Sequence, residues 1–133
     1  MSVFVKQSDI FDVEVFVTQD KKGRTTYAST REEVLKAIED AEQDKVEKFT
    51  VTFRQPNYQD NIEIIGNALM GREASKMNVD VMKIQYTRFA KLLVRWDFKE
   101  DGKDIEATPE NINRLHPNVA SAIVRELDEL ASL

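Results

Sequence analysis

Apolar residues recur at every second position early in the chain and at every third or fourth position later. This change limits the folds that the chain can adopt. Apolar and polar residues alternate from Ile10 to Thr18 and again from Lys48 to Arg54. A period of two is typical of half-buried β-strands. From Val79 to Trp96 the apolar residues step by three and four, which is the period of an amphipathic helix. The sequence therefore predicts strands first and helices later.

The first part of the chain predicts a small antiparallel sheet with a helix packed on it. Residues 19–23 favour a turn after the first strand, and residues 24–28 can return as its hairpin partner. Ser29 or Thr30 then caps a helix, because a glutamate follows each of them at the capping-box spacing. This helix is expected to reach Asp44 and to precede the third strand.

The second part predicts mainly helices. Met70–Asn78 is polar and rich in small residues, and it is interpreted as a loop or a frayed helix end. Thr108–Pro109 and His116–Pro117 each favour a helix start, with proline at the first helical position. Either Val94–Lys99 or Asp104–Glu106 could add a strand to the sheet. We therefore predict one α+β domain.

The predicted domain has two parts. Residues 1–56 form a strand-helix-strand part, and residues 57–133 form a mainly helical part. A chain of 133 residues suits one domain and buries a core without disulfides. There is no cysteine, so zinc–cysteine sites and thiolate nucleophiles are excluded.

Charge and hydropathy restrict the partners. The chain has 19 Lys+Arg and 24 Asp+Glu, a formal net charge of −5, and an acidic chain is a poor match for phosphate backbones. No stretch approaches the ~20 apolar residues of a membrane span, and residues 1–7 lack the apolar core of a signal peptide. We expect neither nucleic acid nor membrane as a partner, and a cytoplasmic location.

Catalytic constellations are not indicated. His116 is the single histidine, and between Leu115 and Pro117 it fits a helix cap or a surface position better than a general base or metal ligand. Residues 100–104 resemble a calcium loop only faintly, and a plain turn is preferred. Phosphate-binding glycine loops and nucleophile elbows are missing. We therefore expect no enzyme activity and no cofactor.

The helical stripe between Val79 and Trp96 is the main candidate for a binding surface. Six of its residues fit an a/d heptad pattern, which suits pairing with another helix. Two interpretations stay open, since the stripe could be the core helix of the domain or could be left partly open for a partner. In the second case the predicted partner-binding residues are Met82, Tyr86, Phe89, Leu93 and Trp96.

An ordered series of short motifs resembles the tail assembly chaperones of long-tailed bacteriophages. The series consists of Leu92–Phe98 with its Trp-Asp pair, the Asp101–Lys103 turn, Ala107–Ile112, and Leu115–Pro117 before the last helix. The likeness covers roughly residues 86–130, about a third of the chain. The strand Phe49–Phe53 and the residues after it resemble some members more loosely.

The resemblance implies a function in virion assembly. Members of that family bind the tape-measure protein in the host cytoplasm, keep it soluble, help to recruit the tail-tube protein, and are absent from the finished virion. Self-association is a further open expectation. One alternative is a virion structural protein, such as a head–tail connector or tail-completion subunit. A second alternative is a small acidic inhibitor that mimics nucleic acid. This alternative is less favoured, because acidic and basic residues are interleaved along the chain.

Overall fold

The computed structural model describes residues 2–19, 22, 24–31, 45–69 and 81–130. The strands are β1 (Ile10–Gln19), β2 (Thr25–Ser29), β3 (Lys45–Arg54), β4 (Leu93–Trp96), β5 (Lys99–Glu100) and β6 (Lys103–Asp104). The helices are α1 (Tyr58–Leu69), α2 (Val81–Leu92), α3 (Pro109–Ile112) and α4 (Pro117–Leu130). The predicted helix after Thr30, the segment Met70–Asn78 and part of the predicted turn at 19–23 lie outside the described residues.

The main sheet has the strand order β2-β1-β3-β4, with every neighbouring pair antiparallel. β1 pairs with β3 over its whole length, from Ile10 opposite Arg54 to Gln19 opposite Lys45. The alternation seen in the sequence places Val13, Val15 and Val17 on one buried face. The predicted α+β class and its three strands are confirmed, and β4 is the fourth strand.

The long helix predicted from Val79 to Trp96 is wrong at its C-terminal end. α2 ends at Leu92, and Leu93–Trp96 forms β4 at the sheet edge. Leu93 lies opposite Phe53 and Trp96 opposite Val51, with a shift in register between them. The extra residue, Val94, makes a β-bulge, so two residues three positions apart share one face. This spacing imitates a helix, which is why the sequence pattern was misleading.

The core lies between one face of the sheet and the helices. α4 packs on β1 and β2, and it also contacts α2. The buried apolar side chains are Val13, Val15, Val17, Ala28, Val51, Phe53, Phe89, Leu92, Ile112, Val119, Ala122, Ile123 and Leu127. Val119, Ile123 and Leu127 recur at helical spacing and are buried, whereas Leu130 at the end of the same spacing is 41% exposed.

The chain between β4 and α4 folds into a small hairpin and a single helical turn. β5 and β6 pair through Asp101 and Gly102, whose φ angles of 52° and 78° fit a tight two-residue turn. Thr108 caps α3, and its side chain accepts a hydrogen bond from the Asn111 N–H. The region 57–133 is therefore helical but also contains β4, β5 and β6.

Candidate protein-binding surface

α1 begins with a reciprocal cap. The Asn57 side chain accepts the Asp60 N–H at 2.8 Å, and the Asp60 carboxylate accepts the Asn57 N–H at 3.0 Å. This arrangement satisfies two amides that a helix N-terminus otherwise leaves free. The same carboxylate accepts two hydrogen bonds from Arg54, at the end of β3. The first turn of α1 is thus fixed to the sheet by a polar contact.

A second ionic contact fixes α1 to α2. Lys91 of α2 pairs with Glu63, and its Nζ lies 4.0 Å from an Asp60 oxygen. The hydrogen bond from Arg54 lowers the pKa of Asp60, and the hydrogen bond from Lys91 lowers the pKa of Glu63. The Arg54 guanidinium also donates to the Lys91 carbonyl at 3.3 Å. Both charged residues of α1 are therefore used in holding the helix to the body of the domain.

The opposite side of α1 is apolar and exposed to solvent. Each helical residue is rotated by about 100° from the previous one, so Tyr58, Ile62 and Ile65 lie together, facing away from Asp60 and the fully buried Ile64. Their relative exposures are 83%, 48% and 44%. A surface helix normally turns its apolar stripe toward the core and its charges to water. α1 buries Ile64 together with Asp60, and it leaves Tyr58, Ile62 and Ile65 exposed.

We call this surface, formed by Tyr58, Ile62, Ile65 and Gly66, the α1 outer face. It carries no charge, although 32% of the chain is charged. Among the described residues, nothing lies within 4 Å of a β-carbon built at Gly66, so their packing does not require a glycine there. Glycine inside a helix costs about 1 kcal/mol relative to alanine. The glycine leaves space for close approach of another backbone.

The structure separates the five partner-binding residues predicted from the sequence. Met82 and Tyr86 are 79% and 41% exposed, on the side of α2 away from Lys91. Phe89 is buried, with its ring edge-on to Phe53 at 5.4 Å between centroids. Leu93 and Trp96 lie on β4 and are half-buried against the core. These residues do not form one helical stripe, because the helix ends at Leu92.

The α1 outer face was missed by sequence reasoning. The helical spacing of Ile62 and Ile65 was visible, but such spacing does not show which side of a helix faces the sheet. Asp60 and Glu63 would ordinarily mark the solvent side. The useful signal was the Asn57–Asp60 cap next to Arg54, which turns that carboxylate inward.

Three residues in the motifs that resemble tail assembly chaperones form hydrogen bonds to the backbone of neighbouring elements. The Trp96 indole donates to the Ile105 carbonyl at 2.5 Å, and the Asp97 carboxylate accepts the Thr50 N–H at 2.7 Å. The Asn111 amide donates to the Glu106 carbonyl at 2.8 Å. These contacts hold β4, the β5–β6 hairpin and α3 together. The residues of this series therefore contribute to the folding of this region.

Within the described ranges, no helix is long and apolar enough to cross a membrane. The same part of the chain brings no three histidine, aspartate or glutamate side chains together as a potential metal site. Comparison of the chain with protein-family models, curated proteins and solved structures gave no match.

Proposed function

We propose that this protein is a tail assembly chaperone of a long-tailed bacteriophage and that its α1 outer face binds helical segments of the tape-measure protein. The observation that carries the proposal is the exposure of three apolar side chains on one uncharged side of α1. Its two acids hold it to Arg54 and Lys91, whereas Tyr58, Ile62 and Ile65 face water. The family resemblance supplies the identity of the partner.

The chemistry of the α1 outer face suits an apolar stripe on a partner helix. A partner that covers Ile62 and Ile65 removes apolar surface from water, and complete burial of one such side chain is worth about 1.5–3 kcal/mol. Roughly half of each side chain is already covered in the free protein. The gain available per residue is therefore about 1 kcal/mol. Several such contacts give reversible binding, which is appropriate for a protein that must later release its client.

Met82 and Tyr86 form a second exposed apolar patch that can contribute to the same role. Tyrosine is enriched among interface hot spots, and methionine adapts to different partner surfaces. Phe89 is sealed in the core, so it is not part of the proposed contact. The net charge of −5 favours solubility of the complex in the host cytoplasm. Recruitment of the tail-tube protein remains part of the proposal through the resemblance alone.

Co-expression with the tape-measure protein of the same phage tests the proposal. Wild-type protein is expected to raise the soluble fraction of the tape-measure protein and to co-purify with it. The double variant Ile62→Glu/Ile65→Glu places charges on the α1 outer face and is expected to lose both effects. Leu130→Glu is the matched control, because Leu130 is a helical residue of similar exposure, at 41%, on α4.

Thermal unfolding of all three proteins separates loss of binding from loss of folding. We expect every protein to remain folded at the assay temperature, with the midpoint of the double variant lowered by about a few degrees, because half of Ile62 and Ile65 is covered in the free protein. Equal co-purification of wild type and double variant would exclude the α1 outer face as the contact. Mass spectrometry of purified virions addresses the alternative, because a stoichiometric amount of this protein there would indicate a structural subunit instead of a chaperone.

A further inference from the structure

A cavity of about 250 Å³ opens on the core side of the sheet, where the end of β1 and the start of β2 meet the β4–β5 region and the beginning of α4. Aromatic rings form one wall, since Phe98 lies 5.1 Å from both Phe49 and Trp96, measured between ring centroids. Val17 and Val119 form the buried floor. An apolar cavity of about 150 Å³ can bind benzene, so this cavity has room for one phenyl ring.

The charged residues in the lining of the cavity are already paired within the chain. They are Lys99, Glu100 and Arg114. Arg114 donates to both Glu100 oxygens, at 2.9 and 2.7 Å, and Lys99 Nζ lies 3.9 Å from an Asp104 oxygen. A charged group that entered the cavity would lose hydration without gaining an unpaired partner of opposite charge. The cavity therefore suits an uncharged apolar side chain.

Residues 2–5, which precede β1, carry such a side chain, and we call them the Phe4 segment. Phe4 is 79% exposed, whereas the other six phenylalanines of the chain are buried or partly buried. The flanking Val3 and Val5 are 83% and 44% exposed. The Ser2 hydroxyl accepts the Phe4 N–H at 3.2 Å and donates to the Phe4 carbonyl at 3.1 Å. A segment held in this way loses less conformational entropy when it binds.

The Phe4 segment is too far from the cavity of its own chain to enter it. The turn that follows the segment is fixed, because the Asp9 carboxylate accepts the Lys6 N–H at 2.8 Å and the Asp9 N–H donates to the Lys6 carbonyl at 3.0 Å. From Lys6 to Phe4 the chain spans at most about 7 Å. Along β1, Ile10 is about 23 Å from Val17, the first residue of that strand in the cavity lining. A Phe4 ring in this cavity therefore comes from another molecule.

The cavity nearest to the Phe4 segment does not suit a phenyl ring. Besides Val5 it is lined by six polar residues, which are Lys6, Gln7, Arg54, Gln55, Asn57 and Asp60. A ring placed there would separate polar groups from water without replacing their hydrogen bonds. The exposed ring and the ring-sized apolar cavity thus lie at opposite ends of the sheet, and they can meet between two molecules.

We infer that the cavity beside Trp96 binds the Phe4 ring of a second copy of this chain. The ring packs on Phe98 and Trp96, with its two flanking valines at the mouth of the cavity. One ring and two valines give a weak association, with an expected dissociation constant of about 0.1–1 mM. This contact is independent of the α1 outer face.

Trp96 provides the first measurement, because it is the only tryptophan in the chain. We would titrate dilute protein with an acetylated and amidated peptide of residues 2–6 while recording tryptophan fluorescence. Amide chemical shifts of ¹⁵N-labelled protein would locate the binding. We expect a saturable response, with shifted amides near residues 17–19, 96–100 and 115–119. The same peptide with Phe4→Ala should bind at least about ten-fold more weakly.

Two variants test the contact in the whole chain. The mass of wild-type protein in sedimentation velocity should rise with concentration, and Phe4→Ser should stay monomeric over the same range. Tyr58→Ser is the matched control, because Tyr58 is 83% exposed, close to the 79% of Phe4, and it should associate like wild type. Thermal midpoints of both variants verify folding, and the peptide titration needs no variant of the protein.

The inference is overturned by any of four results. These are no saturable response to the peptide, equal binding of the two peptides, shifts that cluster elsewhere, or self-association of Phe4→Ser as strong as that of wild type. Loss of association in Tyr58→Ser alone would instead assign the contact to the α1 outer face. None of these measurements uses the tape-measure protein, so this inference and the proposed function can fail separately.

Discussion

The Asp60 carboxylate accepts hydrogen bonds from both terminal nitrogens of the Arg54 guanidinium, at 2.5 and 2.9 Å. The Asp60 side chain is 8% exposed and that of Arg54 is 32% exposed. A two-point contact of this kind fixes orientation as well as distance. It joins the start of α1 to the end of β3, on the side of α1 that also carries the buried Ile64.

This contact predicts a stability that depends on pH. Hydrogen bonding to Arg54 lowers the pKa of Asp60, and bonding to Lys91 lowers that of Glu63. A carboxyl group with a lower pKa in the folded state stabilises above its unfolded value, near pH 4, and the stabilisation is lost as pH falls through the folded pKa. Asp60→Asn should cost about 2–3 kcal/mol at pH 7. The difference from wild type should shrink toward pH 2 in urea titrations.

A control for this prediction is Glu14→Gln. Glu14 lies 4.0 Å from Lys48, and both side chains are more than half exposed. Exposed pairs contribute about 0–1 kcal/mol, so this variant should unfold almost like wild type at pH 7. A constant difference between Asp60→Asn and wild type from pH 7 to pH 2 would contradict a charge-based role for Asp60.

The ion pair between Arg88 and Asp128 predicts two unequal substitutions. Arg88 is buried, whereas the Asp128 side chain is 37% exposed. Within the described part of the chain, Arg88 Nε is buried without a hydrogen-bond partner, and burial lowers the Arg88 pKa. Arg88→Met should therefore be close to neutral in free energy of unfolding. Asp128→Ala should cost about 3 kcal/mol, because it leaves a buried cation. Chemical denaturation would measure both, and equal costs would contradict this account.

Phe89 and Met82 were both predicted to contact a partner, and they should behave differently. Phe89→Ala removes a buried ring from the contact with Phe53 and should cost about 3–5 kcal/mol. Met82→Ala removes a side chain that is largely in water and should change stability by less than about 0.5 kcal/mol. Calorimetry on the two variants tests the assignment. A similar loss of stability in both would show that Met82 is also part of the core.

Gly66→Ala should separate folding from binding. The added methyl group meets no atom of the described residues within 4 Å and improves helix propensity, so the free energy of unfolding should rise by about 0.5–1 kcal/mol. If a partner helix approaches closely at Gly66, the same methyl group should weaken binding to the tape-measure protein. Urea titration and a pull-down on the same sample give both values. Greater stability with unchanged binding would place the partner elsewhere on the α1 outer face.

The sheet was predictable because its strands alternate cleanly, and β1 and β3 each present one apolar side. The α3 and α4 starts were predictable from Thr108–Pro109 and His116–Pro117. The end of α2 was not, since the bulge at Val94 gives β4 the spacing of a helix. The exposed side of α1 was not predictable either, because it depends on a contact between Arg54 and Asp60 that only the folded chain reveals.

No residue separates α2 from β4, since Leu92 ends the helix and Leu93 begins the strand. Leu92 is anchored in the core, and Trp96 is only four positions further along. A flexible loop could change conformation when the helix is displaced, but no loop lies between α2 and β4. The Trp96 indole therefore takes its position from the buried end of α2 through only the three residues 93–95, without a loop between helix and strand.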